Sequence, residues 1–211
     1  MRCGSVSLDK ARIREHIWDE MERCDVARFP PPHGRIPNFV DAEKAAELIS
    51  KQNFYQDATM IFVTPDSPQR PVRETVLRDG KLLLMASPRM KSGFILISPE
   101  DGDPREASSI GGALMMGRSV DLTSVEVDLL VTGAVAVDRT GRRLGKGTGY
   151  FDQEYVALLN SGAIDEGTLV ACTVHPIQIV DEVPSEEHDI RVDYIITPGE
   201  VIRTRRHRVK R

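Results

Sequence analysis

The chain has 211 residues, 40% of them hydrophobic, and carries 28 lysine and arginine residues against 32 aspartate and glutamate residues. This length and composition suit one large or two small domains with a substantial core. No apolar run is long enough for a membrane span, and Cys3, Cys24 and Cys172 lack the spacing of a disulfide framework or zinc ribbon. We therefore expect a soluble, cytoplasmic protein with buried or inert thiols.

The net charge of −4 conceals an asymmetry between the body of the chain and its C-terminal end. Residues 203–211 carry six of the 28 cations and no acid, which leaves 22 cations against 32 acids in residues 1–202. An acidic body argues against a nucleic-acid-binding domain, so the tail is the one segment that could contact RNA. Such an end is more often a solubilising extension. We expect a single α/β domain over 1–202 and a basic tail over 203–211; the oligomeric state is left open.

The N-terminal third begins with an amphipathic pattern and continues through a rigid connector. Residues 8–24 have the periodicity of a helix. On this helix Lys10 and Arg14 are four residues apart and repel each other mildly. The pair therefore indicates either a solvated basic face or a site for an anion. The four prolines of residues 29–38 argue against a helix or central strand there, and Asp41 is predicted to cap a helix that runs through Ile49.

The remainder of the chain alternates between strand and helix patterns. Helices are predicted over 71–79, 105–116 and 150–160. Apolar runs typical of strands buried on both faces occupy 58–63, 81–86, 94–98, 127–137, 168–174, 177–180 and 192–197. This alternation predicts an α/β fold with a mainly parallel sheet covered on both faces, in which ligands bind near the carboxyl ends of the strands.

The segment 141–152, Gly-Arg-Arg-Leu-Gly-Lys-Gly-Thr-Gly-Tyr-Phe-Asp, is the strongest candidate for a site. Gly145, Gly147 and Gly149 alternate with other residues, and glycines with φ > 0 let backbone N–H groups turn towards an anion. The helix that follows would present its positive dipole end to the same anion, which makes phosphate the natural ligand. The spacing matches neither the P-loop nor the dinucleotide-binding fingerprint, so a glycine-rich surface turn remains the alternative.

The span 127–152 resembles the signature of the 5-formyltetrahydrofolate cyclo-ligase family, also called methenyltetrahydrofolate synthetase. Lys10 and Arg14 resemble the family's N-terminal Lys-x-x-x-Arg helix, and the segments 87–89, 175–178 and 187–193 resemble its later motifs. Trp18 and the segments 28–30, 35–39 and 152–155 are more similar still to the methenyltetrahydrofolate synthetase domain-containing branch.

The resemblance implies a fold, a reaction and a set of site residues. The fold is a three-layer α/β/α sandwich, similar to ribose-phosphate isomerases and CoA transferases. The reaction is the ATP-dependent closure of 5-formyltetrahydrofolate to 5,10-methenyltetrahydrofolate, with ATP and Mg²⁺ required and only small-molecule substrates as partners. The implied ATP-binding residues are Lys10, Arg14, Arg143, Gly145, Lys146, Gly147, Thr148, Gly149 and Tyr150. Catalysis is assigned to Arg143, Lys146 and Tyr150, and Mg²⁺ binding to Asp152 and Asp193.

Each assignment has a structural alternative, and two features depart from the family pattern. Asp152 could be a favourable charge at a helix start, and Asp193 a loop acid before a strand. His175 and His188 are expected to be structural histidines rather than catalytic ones. Phe151 replaces a tyrosine of the motif.

The acid that the family places before the helix leading to Gly80 has no clean counterpart, with Asp66 and Glu74 as candidates. These departures motivate a second hypothesis: a nucleotide-binding or regulatory module that has lost folate chemistry, with RNA association through its tail. A sugar-phosphate isomerase or CoA-transferase relative is a more distant option.

Overall fold

The protein is described by a computed structural model that covers residues 3–186 and 189–204, with the side chains of 10–186 and 189–204. The helices are α1 (Cys3–Arg23), α2 (Ala42–Ser50), α3 (Asn53–Gln56), α4 (Arg70–Arg78), α5 (Pro104–Ala107), α6 (Ile110–Met116) and α7 (Tyr150–Ser161). The strands are β1 (Ala27–Arg28), β2 (Asn38–Phe39), β3 (Met60–Val63), β4 (Leu82–Ala86), β5 (Phe94–Ile97), β6 (Arg118–Val120), β7 (Leu129–Thr132), β8 (Ala136–Asp138), β9 (Arg143–Leu144), β10 (Leu169–Thr173), β11 (Ile179–Val180), β12 (Tyr194–Ile196) and β13 (Val201–Arg203).

The central sheet is mainly parallel, which confirms the predicted α/β class. Over the described ranges its strand order is β13-β12-β10-β7-β3-β4-β5-β6. The inner pairs β12–β10, β10–β7, β7–β3 and β3–β4 are parallel, whereas β13, β5 and β6 join antiparallel at the two edges. The carboxyl ends of β3, β7 and β10 therefore lie together at one edge of the sheet.

Both faces of this sheet are covered by helices, as the three-layer architecture requires. Along β3 the side chains alternate between two hydrophobic clusters: Ile61 belongs to the cluster with Trp18, and Phe62 to the cluster with Leu158. Helices α1, α2 and α4 cover the first face, and α7 covers the second. Burial on both faces explains why the strand sequences are continuous apolar runs rather than alternating patterns.

The strand predicted over 127–137 is two separate strands, and the break between them shapes the site. The chain leaves the central sheet at Gly133, after β7, and β8 joins a small sheet of order β11-β8-β9. A Cβ atom at Gly133 would lie 2.6 Å from the Gln69 side chain and 2.7 Å from that of Ile36. A Cβ atom at this position would clash with both side chains, so glycine allows the chain to leave the central sheet here.

A tight turn between β8 and β9 carries the chain into the glycine-rich loop. The buried Asp138 carboxylate accepts hydrogen bonds from the backbone N–H of Thr140 at 2.8 Å and of Val183 at 3.0 Å. Gly141 has φ of +87°, and a Cβ there would lie 2.3 Å from the carbonyl oxygen of Val192. The turn over 138–141 is thus fixed from both sides.

Several predicted boundaries shift for identifiable reasons. Helix α1 begins at Cys3, earlier than the predicted start at residue 8. The helix predicted over 105–116 is divided into α5 and α6, because the Ser109 hydroxyl accepts a hydrogen bond from the Gly112 amide at 2.9 Å and starts a new helix. Asp41 does precede α2, but its carboxylate accepts a hydrogen bond from Lys44 at 3.0 Å and makes no cap.

The C-terminal part of the predicted domain ends on an edge strand. β13 extends to Arg203, the first residue of the predicted tail, and the Thr204 hydroxyl donates a hydrogen bond to the Val192 carbonyl at 2.7 Å. Residues 205–211 of the tail lie outside the described residues, and the division at 202 stays a prediction. In the covered ranges no helix is both long and apolar enough to cross a membrane. Cys172 is buried and Cys24 is exposed.

Candidate functional site

The glycine-rich loop connects β9 to the first turn of α7. Gly147 has φ of +100° and Gly149 has φ of +67°, the left-handed region that glycine enters at least cost. Gly149 precedes α7, and no side chain caps the N–H groups of its first turn. The positive end of the α7 dipole therefore faces the loop, in the geometry in which helix N-termini bind phosphate.

The N-terminal basic pair is brought to this loop by α1. The Arg14 Nε atom donates a hydrogen bond to the Gly145 carbonyl at 2.7 Å, and the guanidinium group lies 3.6 Å from the position a Gly147 Cβ would take. The Lys10 Nζ atom contacts the Asp189 carboxylate at 3.1 Å. Lys10, Arg14 and Asp189 line a small cavity of about 190 Å³ together with the loop. The structure thus brings together two segments, at Arg14 and Gly145, that are 131 residues apart in the sequence.

Arg143 connects the loop to the helix. Its Nη2 atom contacts the Asp152 carboxylate at 2.9 Å, and its guanidinium carbon lies 4.2 Å from the centre of the Phe151 ring. The Arg143 side chain is 6% exposed, whereas that of Asp152 is 46% exposed. The phenylalanine that departs from the motif therefore supports the arginine by cation–π stacking, a role that needs no hydroxyl.

Lys146 reaches across the cavity to an acid that follows β3. Its Nζ atom lies 2.7 Å from Asp66 Oδ1. Asp66 was one of two sequence candidates for the family's missing acid, and the structure places it opposite the loop. The other candidate, Glu74, pairs with Arg78 on α4 instead.

The loop that holds Asp66 is fixed by a buried arginine. Arg73 is 2% exposed, and its Nη1 atom donates hydrogen bonds to the carbonyl groups of Thr64 at 2.6 Å and Asp66 at 3.1 Å. Its Nε atom donates to the Ser108 carbonyl at 2.8 Å. Burial lowers the pKa of Arg73 to about 9, with the charge of Asp66 opposing the shift. The guanidinium group therefore fixes the position of the backbone that follows β3.

Glu154 is a cavity residue that sequence reasoning missed. It lies on α7 one turn after Tyr150 and is 4% exposed. Burial raises the pKa of Glu154 to about 8, the charge of Asp66 adds to the increase, and Arg143 and Lys146 oppose it. A polar residue on a helix is usually interpreted as solvent-facing, so the one available signal for Glu154 was its place in the segment 152–155 that resembles the domain-containing branch.

Asp66, Arg143, Lys146 and Glu154 share one cavity of about 550 Å³ at the carboxyl edge of the sheet. This volume is in the usual range for small-molecule sites. Besides Arg143, six of the residues assigned to ATP, catalysis or Mg²⁺ line it: Gly145, Lys146, Thr148, Gly149, Tyr150 and Asp152. The further lining residues are Arg35, Ile36, Pro65, Asp66, Ser67, Pro88, Arg89, Ile110, Thr132, Gly133, Arg143, Phe151 and Glu154. Arg143, Gly145, Gly149 and Asp152 also line the smaller cavity, so the two cavities are adjacent.

Asp193 is the predicted site residue that the structure does not bring to either cavity. Its carboxylate is buried and accepts a hydrogen bond from the Val170 amide at 2.9 Å, at the amino ends of β10 and β12. That end of the parallel strands is opposite to the edge that carries the loop. Asp189, four residues earlier in the same segment, is the acid that lies beside Lys10.

His175 and His188 are the two histidines for which a structural role is expected. His175 Nδ1 accepts a hydrogen bond from the Ile177 amide at 3.3 Å, its ring packs against Phe39, and burial lowers its pKa. This arrangement fits the structural interpretation. His188 lies outside the described residues. Among those described, no group of three His, Cys, Asp or Glu side chains could hold a metal ion by itself.

Three cations of the site form ion pairs with acids in this structure. Lys10 contacts Asp189, Arg143 contacts Asp152, and Lys146 contacts Asp66. Phosphate groups bound here would replace the carboxylates as partners of the cations. A divalent cation would bind the carboxylates within its reach. The arrangement is chemically suited to bind and orient a metal–triphosphate next to a second small molecule.

Comparisons with known proteins agree with the site. The family model described as 5-formyltetrahydrofolate cyclo-ligase family matches residues 6–198. A mouse methenyltetrahydrofolate synthase domain-containing protein is 44% identical over 206 residues, which are 93% of this chain and 55% of that protein. The human protein of the same name is 41% identical over 213 residues, 97% of this chain and 56% of that protein. The chain thus spans about half the length of these curated relatives.

A solved structure shows the same fold. The NMR structure of Aquifex aeolicus 5,10-methenyltetrahydrofolate synthetase superimposes with a TM-score of 0.59 at 21% identity, covering 96% of both chains. At this identity the likeness bears on the fold alone.

Proposed function

The chain belongs to the 5-formyltetrahydrofolate cyclo-ligase family, and on that premise we propose that it catalyses the ATP-dependent closure of 5-formyltetrahydrofolate to 5,10-methenyltetrahydrofolate. The observation that supports this best is the convergence of the glycine-rich loop, the α7 N-terminus and the cations Arg14, Arg143 and Lys146 around adjacent cavities. A site of this kind supplies what phosphoryl transfer requires, because positioned charge is its main catalytic device.

The reaction has two steps that this site can assist. The formyl oxygen of the substrate attacks the γ-phosphorus of ATP, ADP leaves, and the formyl carbon then carries a phosphate leaving group. The folate N10 attacks that carbon, the ring closes, phosphate departs, and the N10 proton is released. In this scheme Lys146 and Arg143 stabilise the charge on the transferring phosphoryl group, while Lys10 and Arg14 hold the remaining phosphates. Tyr150 lines the larger cavity, and in this scheme it contacts the folate or the transferring phosphoryl group.

Magnesium fits one of the two acids assigned to it. Asp152 is half-exposed and lies at the start of α7 beside the loop, and Mg²⁺ typically binds one or two carboxylates together with phosphate oxygens. Bound there, the ion would neutralise charge on the phosphates. Asp193 lies at the opposite edge of the sheet, so our proposal assigns Mg²⁺ binding to Asp152 and omits Asp193.

The competing hypothesis is a nucleotide-binding or regulatory module of the same fold. It is favoured by the similarity to methenyltetrahydrofolate synthase domain-containing proteins and by Phe151, which stacks on Arg143 where the motif has a tyrosine. One assay separates the two: the protein is mixed with Mg-ATP and 5-formyltetrahydrofolate, and the methenyl absorbance is followed. Growth of the chromophore supports the cyclo-ligase. Measurable ATP binding with no chromophore at micromolar protein supports the module.

A further inference from the structure

Glu154 is a buried carboxyl group that faces the larger cavity. Its side chain lines that cavity while the residue as a whole is only 4% exposed. Across residues 10–186 and 189–204, no hydrogen bond or ion pair is made by its carboxyl oxygens, although it feels the charges of nearby groups. Few buried polar groups in folded proteins lack a partner, so such a group at a cavity wall calls for a partner from within the cavity.

The neighbouring charged groups do not supply that partner. Lys146 is engaged by Asp66 and Arg143 by Asp152. Under the proposed function both cations are also required by the phosphates of ATP. Glu154 therefore faces the part of the cavity that the second substrate would occupy.

The walls of that part of the cavity suit a flat heterocycle. Ile36, Pro65 and Phe151 line the cavity with apolar side chains, and Gly133 lines it at the end of β7, where the side chains of Ile36 and Gln69 pack closely against the glycine. Glu154 is separated from Tyr150 by one helical turn, a rise of about 6 Å. This rise is comparable with the width of a fused two-ring heterocycle whose reactive end lies at the phosphates.

We propose, resting on the proposed function, that Glu154 binds the pyrimidinone edge of the folate pteridine ring and so determines specificity for a pterin. That edge presents a ring N–H between an exocyclic amino group and a carbonyl oxygen. A carboxyl group can pair with it through two parallel hydrogen bonds, accepting from the two N–H donors or exchanging one hydrogen bond in each direction. Heterocycles without adjacent polar groups of this kind would leave the carboxyl group unpaired.

The test compares two substitutions of Glu154 with a control on the same helix. Glu154→Met keeps the length of the side chain but removes its hydrogen-bonding atoms, whereas Glu154→Gln keeps an acceptor and a donor. Tyr155→Phe alters a buried neighbour that does not line the cavity. For each protein, the KM values for 5-formyltetrahydrofolate and ATP are measured from the methenyl absorbance, and folate binding is measured by calorimetry.

We expect Glu154→Met to raise the KM and Kd for 5-formyltetrahydrofolate at least about tenfold, with the KM for ATP within about twofold of wild type. Glu154→Gln should give a smaller rise, and Tyr155→Phe no change. An unchanged folate Kd in Glu154→Met would overturn the inference, as would an equal rise in the KM for ATP.

Two further outcomes have defined meanings. If Glu154→Met does not fold, Glu154→Gln decides, and a folate Kd equal to wild type overturns the inference. If the wild-type protein binds 5-formyltetrahydrofolate in a Glu154-dependent way but makes no methenyl product, the proposed function fails while the binding inference stands.

Discussion

Replacing Lys146 with alanine removes a cation that the proposed function assigns to the transferring phosphoryl group. Its Nζ atom lies 2.7 Å from Asp66, and the two side chains are 26% and 21% exposed, so their charges are only partly screened by solvent. A charge-assisted hydrogen bond from such a lysine to a phosphate oxygen contributes about 1.5–3 kcal/mol. At 1.4 kcal/mol per tenfold, the Kd for Mg-ATP should rise about ten- to hundredfold.

The same substitution leaves Asp66 without its ion-pair partner. Its charge would then face the incoming phosphates beside Glu154, and this repulsion adds to the loss. The double substitution Lys146→Ala with Asp66→Asn should therefore bind Mg-ATP more tightly than Lys146→Ala alone, though more weakly than wild type.

Calorimetry of Mg-ATP binding measures both effects and does not depend on catalytic activity. Lys44→Ala is the matched control, because Lys44 forms a surface pair with Asp41 at 3.0 Å on α2. It should leave the Kd unchanged. A Lys146→Ala protein that is folded and binds Mg-ATP within about twofold of wild type would refute the reasoning.

Three other predictions concern the metal, a buried hydroxyl and a turn. Asp152→Asn should raise the Mg²⁺ concentration needed for half-maximal ATP binding at least about tenfold, and an unchanged Mg²⁺ titration would contradict the assignment. Tyr55→Phe removes a 2.8 Å hydrogen bond to the Asp79 carboxylate and should lower the free energy of unfolding by about 1–3 kcal/mol in urea titrations; no loss would mean that water replaces the hydroxyl. Gly141→Ala should cost about 3 kcal/mol or more, since its Cβ would meet a backbone carbonyl at 2.3 Å. The control Gly162→Ala, also at positive φ but in open space, should cost only about 1–2 kcal/mol.

The parts of the fold that sequence predicts well are those with continuous apolar character. The runs that became β3, β4, β5 and β10 are buried on both faces, so composition alone identifies them. The same property hides the break at Gly133, because all residues from β7 to β8 are buried and Thr132 is the one polar residue before Asp138. Only the glycine signals the change of direction.

Whether a site residue can be predicted from the sequence also depends on how far it lies from the loop motif along the chain. Arg143, Lys146 and Asp152 are close in sequence, so the loop motif predicts their proximity. Asp66 is 80 residues from Lys146, and the side that Glu154 presents to the cavity depends on how α7 docks on the sheet. No pattern in a single sequence encodes these relations.

The C-terminal acids show the limit of transferring a motif residue by residue. The segment 187–193 matches the family, but the register of β12 sends Asp193 to the amino edge, where it bonds the Val170 amide. Asp189 instead lies beside Lys10. Since strand register and direction decide which carboxylate reaches the site, the sequence match alone could not choose between them.

The central claim is that the backbone around Gly145–Gly149 binds the terminal phosphates of a nucleotide. A crystal structure of the protein with Mg²⁺ and a non-hydrolysable ATP analogue tests it most directly. We predict that the triphosphate lies between this loop and the first turn of α7, within hydrogen-bonding distance of Arg14 and Lys146. A nucleotide bound at another surface, with Lys146 still paired to Asp66, would contradict the account.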